Sequence, residues 1–468
     1  MNVLEKFSIL SGLAAGLGAL TASAAVHYTP LVVFDGTNGA SPAGKLAQGR
    51  DGCLYGTAST GGMNGATGTV FRVALDGTQF TNLYYFTGTS NGSNPVGGLT
   101  QGDDGAFYGT TWAGGTSNCG TVFRITTDGS LTSLASFLNT NGANPDTSLT
   151  PAGDGSFYGG AAYGGPYPDS SIGGTGFGAT FNVTTNGLLS VPILFARTNG
   201  SSPSQLVRTP NGNLYGATTW GGDTSHYSQG FGTIYQLRPD GTWTSVYVFS
   251  GGNDGGFIYG GIALAADGSL YGATYSGGAN LLGSLFRCST NGQFTTLYAF
   301  TGGIDGANPA GPLVEGSDGN LYGSTYLGGG VAGTLFQFTP SGLGTTLVSF
   351  TGTSGSFPGG HCRAQLLQAS DGNFYGVTLT GGPYNLGVLF RLSVPMPSRL
   401  LNVSVSNGVL SSTWSSVAGQ NYQVQVSTNL AVGWSNFGSA FTATNGTLQF
   451  SDAIAADPQR CYRVALLP

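Results

Sequence analysis

Short runs of alternating apolar and polar residues recur along residues 31–392, separated by Gly-rich polar stretches. Alternation of this kind marks half-buried strands, and no segment of this region sustains the 3.6-residue period of a helix. The runs fall into register. A Tyr-Gly pair preceded by Leu or Phe appears seven times, at Tyr55, Tyr108, Tyr158, Tyr215, Tyr271, Tyr322 and Tyr375. A Gly-Gly pair follows six residues after each Tyr, then a strand of the type Gly68–Arg72 (GTVFR), then a turn and a last strand ending in Phe. Each unit thus holds four strands, named here a (around Leu99), b (the Tyr-Gly strand), c (GTVFR) and d (ending in Phe86 in the first unit). Four antiparallel strands at this period make one propeller blade.

The ends of the array are complementary. The seventh unit stops after strand c at Arg391–Leu392, and the missing d strand stands at the N-terminus, where Leu31–Phe34 (LVVF) matches Leu83–Phe86 (LYYF). The expected fold is all-β: a seven-bladed β-propeller over residues 25–394 whose N-terminal strand closes the last blade, which removes exposed sheet edges. The a–b turns are Asp-Gly or Asn-Gly in every unit, as at Asp51–Gly52 and Asn211–Gly212, and read as two-residue type I′ hairpins. These tight turns share one face, leaving the longer b–c and d–a loops on the other, where recognition is expected.

Residues 395–398 read as a linker. Residues 399–468 alternate as five strands around Trp414 and Tyr422–Val426, which gives a small C-terminal β-sandwich resembling a fibronectin type III module. Residues 1–24 have the form of a secretory signal peptide: Lys6, an apolar stretch from Phe7 to Leu20, and the small residues Ala22–Ala24 before the expected cut. The expectation is an exported protein, secreted or at the cell surface, with no transmembrane anchor after processing.

The string LYGTTxxGGxxxxGTVFR, best seen at Phe107–Arg124 and Leu321–Phe336, resembles the tandem GloVer repeat, named for Gloeobacter and Verrucomicrobia, of exported bacterial proteins. The resemblance covers about residues 30–394. It implies export and life at the cell surface, and it implies no particular activity.

Composition narrows the chemistry. The net charge is −6 with two Lys in the chain, which argues against a nucleic-acid partner. Five cysteines, Cys53, Cys119, Cys288, Cys362 and Cys461, share no metal-binding spacing, and no pairing among them can be assigned. Nine of the 19 acidic residues after position 24 are turn aspartates, which turn geometry explains. HExxH, EF-hand and P-loop motifs are missing, so neither a metal nor a cofactor is expected, and no catalytic set stands out. Arg208 and Glu315 occupy equivalent places on innermost strands and are candidates to face a polar channel. Large rings stand just before Gly-Gly at Trp112, Tyr163, Trp220, Tyr275 and Tyr326. The two longest b–c loops add Tyr167, Asp169, Asp223, His226 and Tyr227. Rings beside polar groups suit sugars or peptides, and the alternative for the rings is packing between blades. Three roles follow: a non-catalytic binding or scaffold propeller for glycans or cell-surface partners, a polysaccharide-active enzyme with a site in the propeller mouth, or a purely structural surface protein.

Overall fold

The computed structural model describes residues 8–9 and 26–468, apart from 64, 89, 167–175, 331, 397, 429–432, 454–459 and 468. The expected leader, Ser8 and Ile9 excepted, lies outside the described residues, as do Tyr167 and Asp169. The described chain is all-β, and no helix in it is long and apolar enough to cross a membrane.

Among the described residues the repeat region forms seven antiparallel sheets in the order a-b-c-d. In the first, Leu54–Ala58 lies between Ala47–Gln48 and Thr69–Val73, and Thr81–Tyr85 pairs with the latter. The [Leu/Phe]-Tyr-Gly string explains itself in three dimensions. The Tyr ring stacks on the residue before the next unit's Tyr, as Tyr55 on Phe107 at 4.1 Å and Tyr108 on Phe157 at 4.4 Å. The Gly seats the aromatic ring of strand c: a Cβ on Gly56 would lie 2.4 Å from Phe71 Cζ, and the six other motif glycines face their c-strand rings in the same way. Close packing of this kind leaves no room for even one methyl group.

The Asp-Gly turns differ from the type I′ expectation. Only the Gly has positive φ, at 81° for Gly52, while Asp51 does not. Gly52 N–H donates to Gly49 C=O at 2.9 Å and Gly49 N–H donates to Cys53 C=O at 2.8 Å. The loop is therefore three residues long, a type I turn followed by a left-handed Gly. The aspartate holds it there: Asp51 Oδ1 accepts the Cys53 N–H, and its Oδ2 accepts the Tyr55 hydroxyl at 2.9 Å and the Arg72 guanidinium at 2.9 Å. Asp104 with Tyr108 and Arg124 repeats the arrangement, as does Asp267 with Tyr271 and Arg287. In these three sheets the motif Tyr, the turn Asp and the c-strand Arg form one polar tie, and in the sixth Gln337 takes the place of the Arg beside Asp318 and Tyr322.

The N-terminal strand His27–Val33 pairs antiparallel with Val388–Ser393 of the seventh unit. It behaves as the other d strands do. Its register shifts between Pro30 and Val32, and each of the other c–d pairs shifts at the same place. Phe34 N–H donates to Gly387 C=O at 3.1 Å, as Phe86 N–H does to Gly68 C=O at 2.9 Å. The first unit's c–d turn packs Gly77 on Leu31, as the second packs Gly129 on Leu83.

Buried side chains collect between consecutive units. One cluster joins Tyr55, Val70 and Phe86 to Leu99, Phe107 and Phe123. Another joins Phe34, Tyr375 and Leu389 to Leu46, Leu54 and Phe71, and so links the last unit to the first. Polar contacts repeat this link: Ser370 N–H donates to Gln48 Oε1 at 2.8 Å, and Tyr375 Oη donates to Leu75 C=O at 3.1 Å.

Beyond the repeats, Leu400–Ser406, Val409–Ser415 and Thr447–Ala453 form one sheet, and Asn421–Ser427 with Cys461–Leu467 forms the centre of another. Trp414, Leu448 and Phe450 from the first meet Tyr422, Val464 and Leu466 from the second. This module sits on the tight turns of the last two units. Ala418 N–H donates to Asp371 C=O and Gly446 N–H to Ser370 C=O, both at 2.7 Å, and Arg399 reaches Ser317 C=O at 3.0 Å. All five cysteines are free thiols, and burial pushes those of Cys288 and Cys362 up to about 11.

Candidate functional site

Every d–a loop enters its sheet through a residue with left-handed backbone: Ser41, Asn94, Asn144, Ser202, Phe257, Asn308 and His361, with φ between 51° and 62°. In each case the N–H of that residue donates to a b–c loop carbonyl of the preceding unit, from Asn94 to Thr67 at 2.8 Å and from Ser41 back to Leu386 at 2.8 Å. These bonds fix the loops of neighbouring units against each other. Asn suits the conformation, and its side chain adds a second bond, from Asn144 Nδ2 to Trp112 C=O at 2.9 Å. Phe257 is the outlier: it alone among the described Phe, Tyr and Trp residues takes positive φ. Its ring lies 4.6 Å from Trp220 and 6.1 Å from Tyr227. Backbone strain of this sort gathers at ligand-binding surfaces.

Two residues further along, the chain turns inward. Ala43, Val96, Asp146, Ser204, Tyr259, Ala310 and Arg363 stand there, one per unit, and all line a cavity of about 670 Å³ on the loop side. Trp112, Tyr163 and Trp220 from the ends of the b strands share its wall, with Lys45, Gln205 and Gln365. Trp112 and Tyr163 meet edge to face at 5.9 Å. Tyr259, 45% exposed, meets Tyr275 at 5.0 Å. Arg363 lies over the Tyr326 ring at 4.5 Å, and Tyr326 packs on His361 at 4.6 Å. Of the five expected rings, three line the cavity, while Tyr275 and Tyr326 back its lining residues Tyr259 and Arg363.

The remaining candidates stand elsewhere. Glu315 Oε2 accepts the Ala266 N–H of the preceding unit at 2.7 Å, as Gln368 Oε1 accepts the Ser317 N–H at 2.8 Å. Its role in the fold is a tie between units. Arg208 lies over Gly153 of its preceding unit. Neither lines the cavity. In the long fourth b–c loop, Asp223 Oδ1 accepts the Ser225 N–H at 2.8 Å and the Ser225 hydroxyl meets His226 Nδ1 at 2.8 Å. Asp223 Oδ2 approaches that same Nδ1 at 4.0 Å, so serine and aspartate compete for one nitrogen and form no relay across the ring. The hydroxyl and the backbone N–H of Ser225 hold the Asp223 carboxyl below its ordinary value. Tyr227 leaves that loop to pack on Phe231 and Phe257. Among the described residues no group of three or more His, Cys, Asp or Glu is placed to hold a metal ion.

Sequence reasoning missed Lys45, Asp146, Tyr259 and Arg363. Their signal is positional: each falls one or three residues after the Pro, Ile or Cys that follows the left-handed residue. Enclosure in the cavity lowers the Lys45 ammonium from its ordinary value. Asp146 is open to cavity water but surrounded by protein, and the lost hydration pushes its carboxyl up to about 7 from 3.8. A raised carboxyl costs the folded state stability as pH climbs from the unfolded value, and the cost is complete above the folded one. Asp146→Asn is therefore expected to unfold at higher denaturant than the parent at pH 8 and at an equal concentration at pH 4. Matched urea titrations at the two pH values check this, and equal midpoints at pH 8 would count against it.

Antiparallel sheets in tandem around a shared cavity define an all-β repeat protein of propeller-like architecture. The chain belongs to the Gloeobacter/Verrucomicrobia repeat family, whose model matches residues 10–173 and 169–365. No curated protein matches it in sequence. Among solved structures it is similar to a protein described as the extracellular domain of a hybrid two-component system from B. thetaiotaomicron. That likeness has a TM-score of 0.50 and 11% identity, over 96% of this chain and 59% of the other. A gluconolactonase from Xanthomonas campestris aligns at TM-score 0.41 and 13% identity, over 79% of this chain and 90% of that one. A protein described as a 6-phosphogluconolactonase from Bacteroides uniformis aligns at 0.46 and 15%, over 85% and 98%. At such identity the first of these likenesses bears on the fold alone.

Proposed function

We propose that the seven sheets are the blades of one closed propeller, locked by the N-terminal strand, and that its loop-side cavity binds glycans without turning them over, outside the cell. Closure is supported by the pairing of His27–Val33 with Val388–Ser393 and by the core shared between the last unit and the first. Export is supported by the leader-like residues 1–24. The observation that carries the ligand reading is the cavity itself: every unit contributes to it, and Trp112, Tyr163, Trp220 and Tyr259 offer ring faces beside amide and hydroxyl groups. Sugars need this combination, apolar area under the ring and hydrogen-bonding groups at its edge.

Glycan-array binding of the mature protein tests the reading. Trp220→Ala and Trp112→Ala are each expected to weaken retained glycans by at least ~10-fold, the loss of one stacking contact of about 1.5 kcal/mol. Both rings are only half-buried, so the folded state should survive. An array without binders, or binding indifferent to both substitutions, would sink the proposal.

A catalytic reading has one observation in its favour, the Asp146 carboxyl, which titrates where a general acid works. Glycoside hydrolysis needs a second carboxylate at a defined separation, and Asp146 is the only one on the described wall of the cavity. Turnover of a polysaccharide that Asp146→Asn abolishes would establish this reading over the first.

A further inference from the structure

We propose that the cavity is a well for a negatively charged saccharide, one bearing carboxylate or sulfate groups. This rests on the glycan reading above and adds the sign of the ligand. The charged and titratable side chains on the cavity wall are Lys45, Asp146, Tyr163, Tyr259 and Arg363. Lys45 is enclosed, and its ammonium has no hydrogen-bond or ion-pair partner among the described residues. Arg363 has no carboxylate partner there either. Its guanidinium uses its face on the Tyr326 ring, which leaves the in-plane N–H groups for a ligand. Elsewhere Arg72, Arg124, Arg287 and Arg460 each hold an aspartate, and Arg50, Arg238, Arg399 and Arg463 each bond a carbonyl, hydroxyl or amide oxygen.

The one acidic group in the cavity does not cancel these cations. Among the described residues Asp146 forms no ion pair with Lys45 or Arg363, and the protein around it raises its carboxyl to about 7, so it is only partly ionised at neutral pH. An enclosed cation without a counter-charge is costly to keep, and the cost is relieved when an anion supplies the missing partner. The protein as a whole carries −6, so the cavity is a local positive site on an acidic molecule. Gln365 adds a buried Oε1 without a partner, which can accept a sugar hydroxyl. Aromatic faces with two unpaired cations and few carboxylates fit acidic sugars better than neutral ones.

The test is calorimetric titration of the full mature chain with three trisaccharides of equal length: galacturonate, sulfated galactose and plain galactose. The expected result is binding of at least one charged trisaccharide ~10-fold or more above the neutral one, an advantage that shrinks as salt screens it. Arg363→Gln and Lys45→Met should each remove most of that advantage, weakening charged sugars far more than the neutral one, and neither should lower the urea midpoint, since each removes a cation without a counter-charge. Trp220→Ala should weaken all three alike. A preference for carboxylate or for sulfate supports the proposal and names the source of the charge. Equal binding of charged and neutral sugars overturns the charge inference and leaves the glycan reading standing. Failure of all three to bind, together with an array without binders, overturns both.

Discussion

Phe34→Ala is expected to destabilise the protein by about 3–5 kcal/mol, as much as Phe86→Ala in the middle of the array. Both rings are fully buried. Phe86 lies 5.3 Å from Phe123, and Phe34 lies 5.6 Å from Phe71 and 6.2 Å from Phe80. Phe34 stands only eight residues after the first continuously described residue. At the frayed end of an open array such a residue would cost little, because terminal segments carry low local stability. If the strand instead joins the last sheet to the first, truncation opens a cavity between the two units and breaks the core that spans them. Urea unfolding of the two variants side by side decides the matter. A Phe34 variant as stable as the parent would leave the closed propeller without support.

The second large effect is expected at Gly272. A Cβ there would sit 2.4 Å from Phe286 Cζ, and the ring cannot yield, since Phe249 and Phe294 stand 5.4 and 5.2 Å from it. Overpacking of this order costs about 1–3 kcal/mol. Gly272→Ala should therefore lower the denaturation midpoint, and Phe286→Leu, itself destabilising, should restore part of the loss when combined with it. A double-mutant cycle with coupling near zero would show that the Gly is required for its backbone alone.

The repeat was legible because its structural duties fall on identical residues. A motif Tyr must stack on the next unit, its Gly must accept a ring, and a Phe must end strand d, so each unit writes the same letters. The seventh unit's missing strand was legible for the same reason. The turn type was not. Asp-Gly serves a two-residue and a three-residue loop alike, because both need a left-handed Gly. The difference lies in the φ of Asp51, which its bonds to the Cys53 N–H and the Tyr55 hydroxyl hold negative. The cavity was half legible. Trp112, Tyr163 and Trp220 stand out as rings before Gly-Gly, a position the repeat marks. Asp146, Tyr259 and Arg363 occupy a place filled by Ala43, Val96, Ser204 and Ala310 elsewhere. A position that holds six residue types in seven units writes no motif, and the residue types come together only in space. Glu315 stands out in the sequence as a lone carboxylate on an innermost strand, but its bond to the Ala266 N–H of the preceding unit writes no motif.

The pairing of His27–Val33 with Val388–Ser393 also sets an order of events. The first strand of the repeat region to leave the ribosome is the last to find its partner, because that partner lies at the far end of the array. Neighbouring units can associate as they emerge, through contacts local in sequence, whereas this one contact must wait for nearly the whole chain. Until then the outer edge of the last sheet and the N-terminal strand stay unpaired together. The molecule thus carries a built-in delay between making its sheets and completing the last of them.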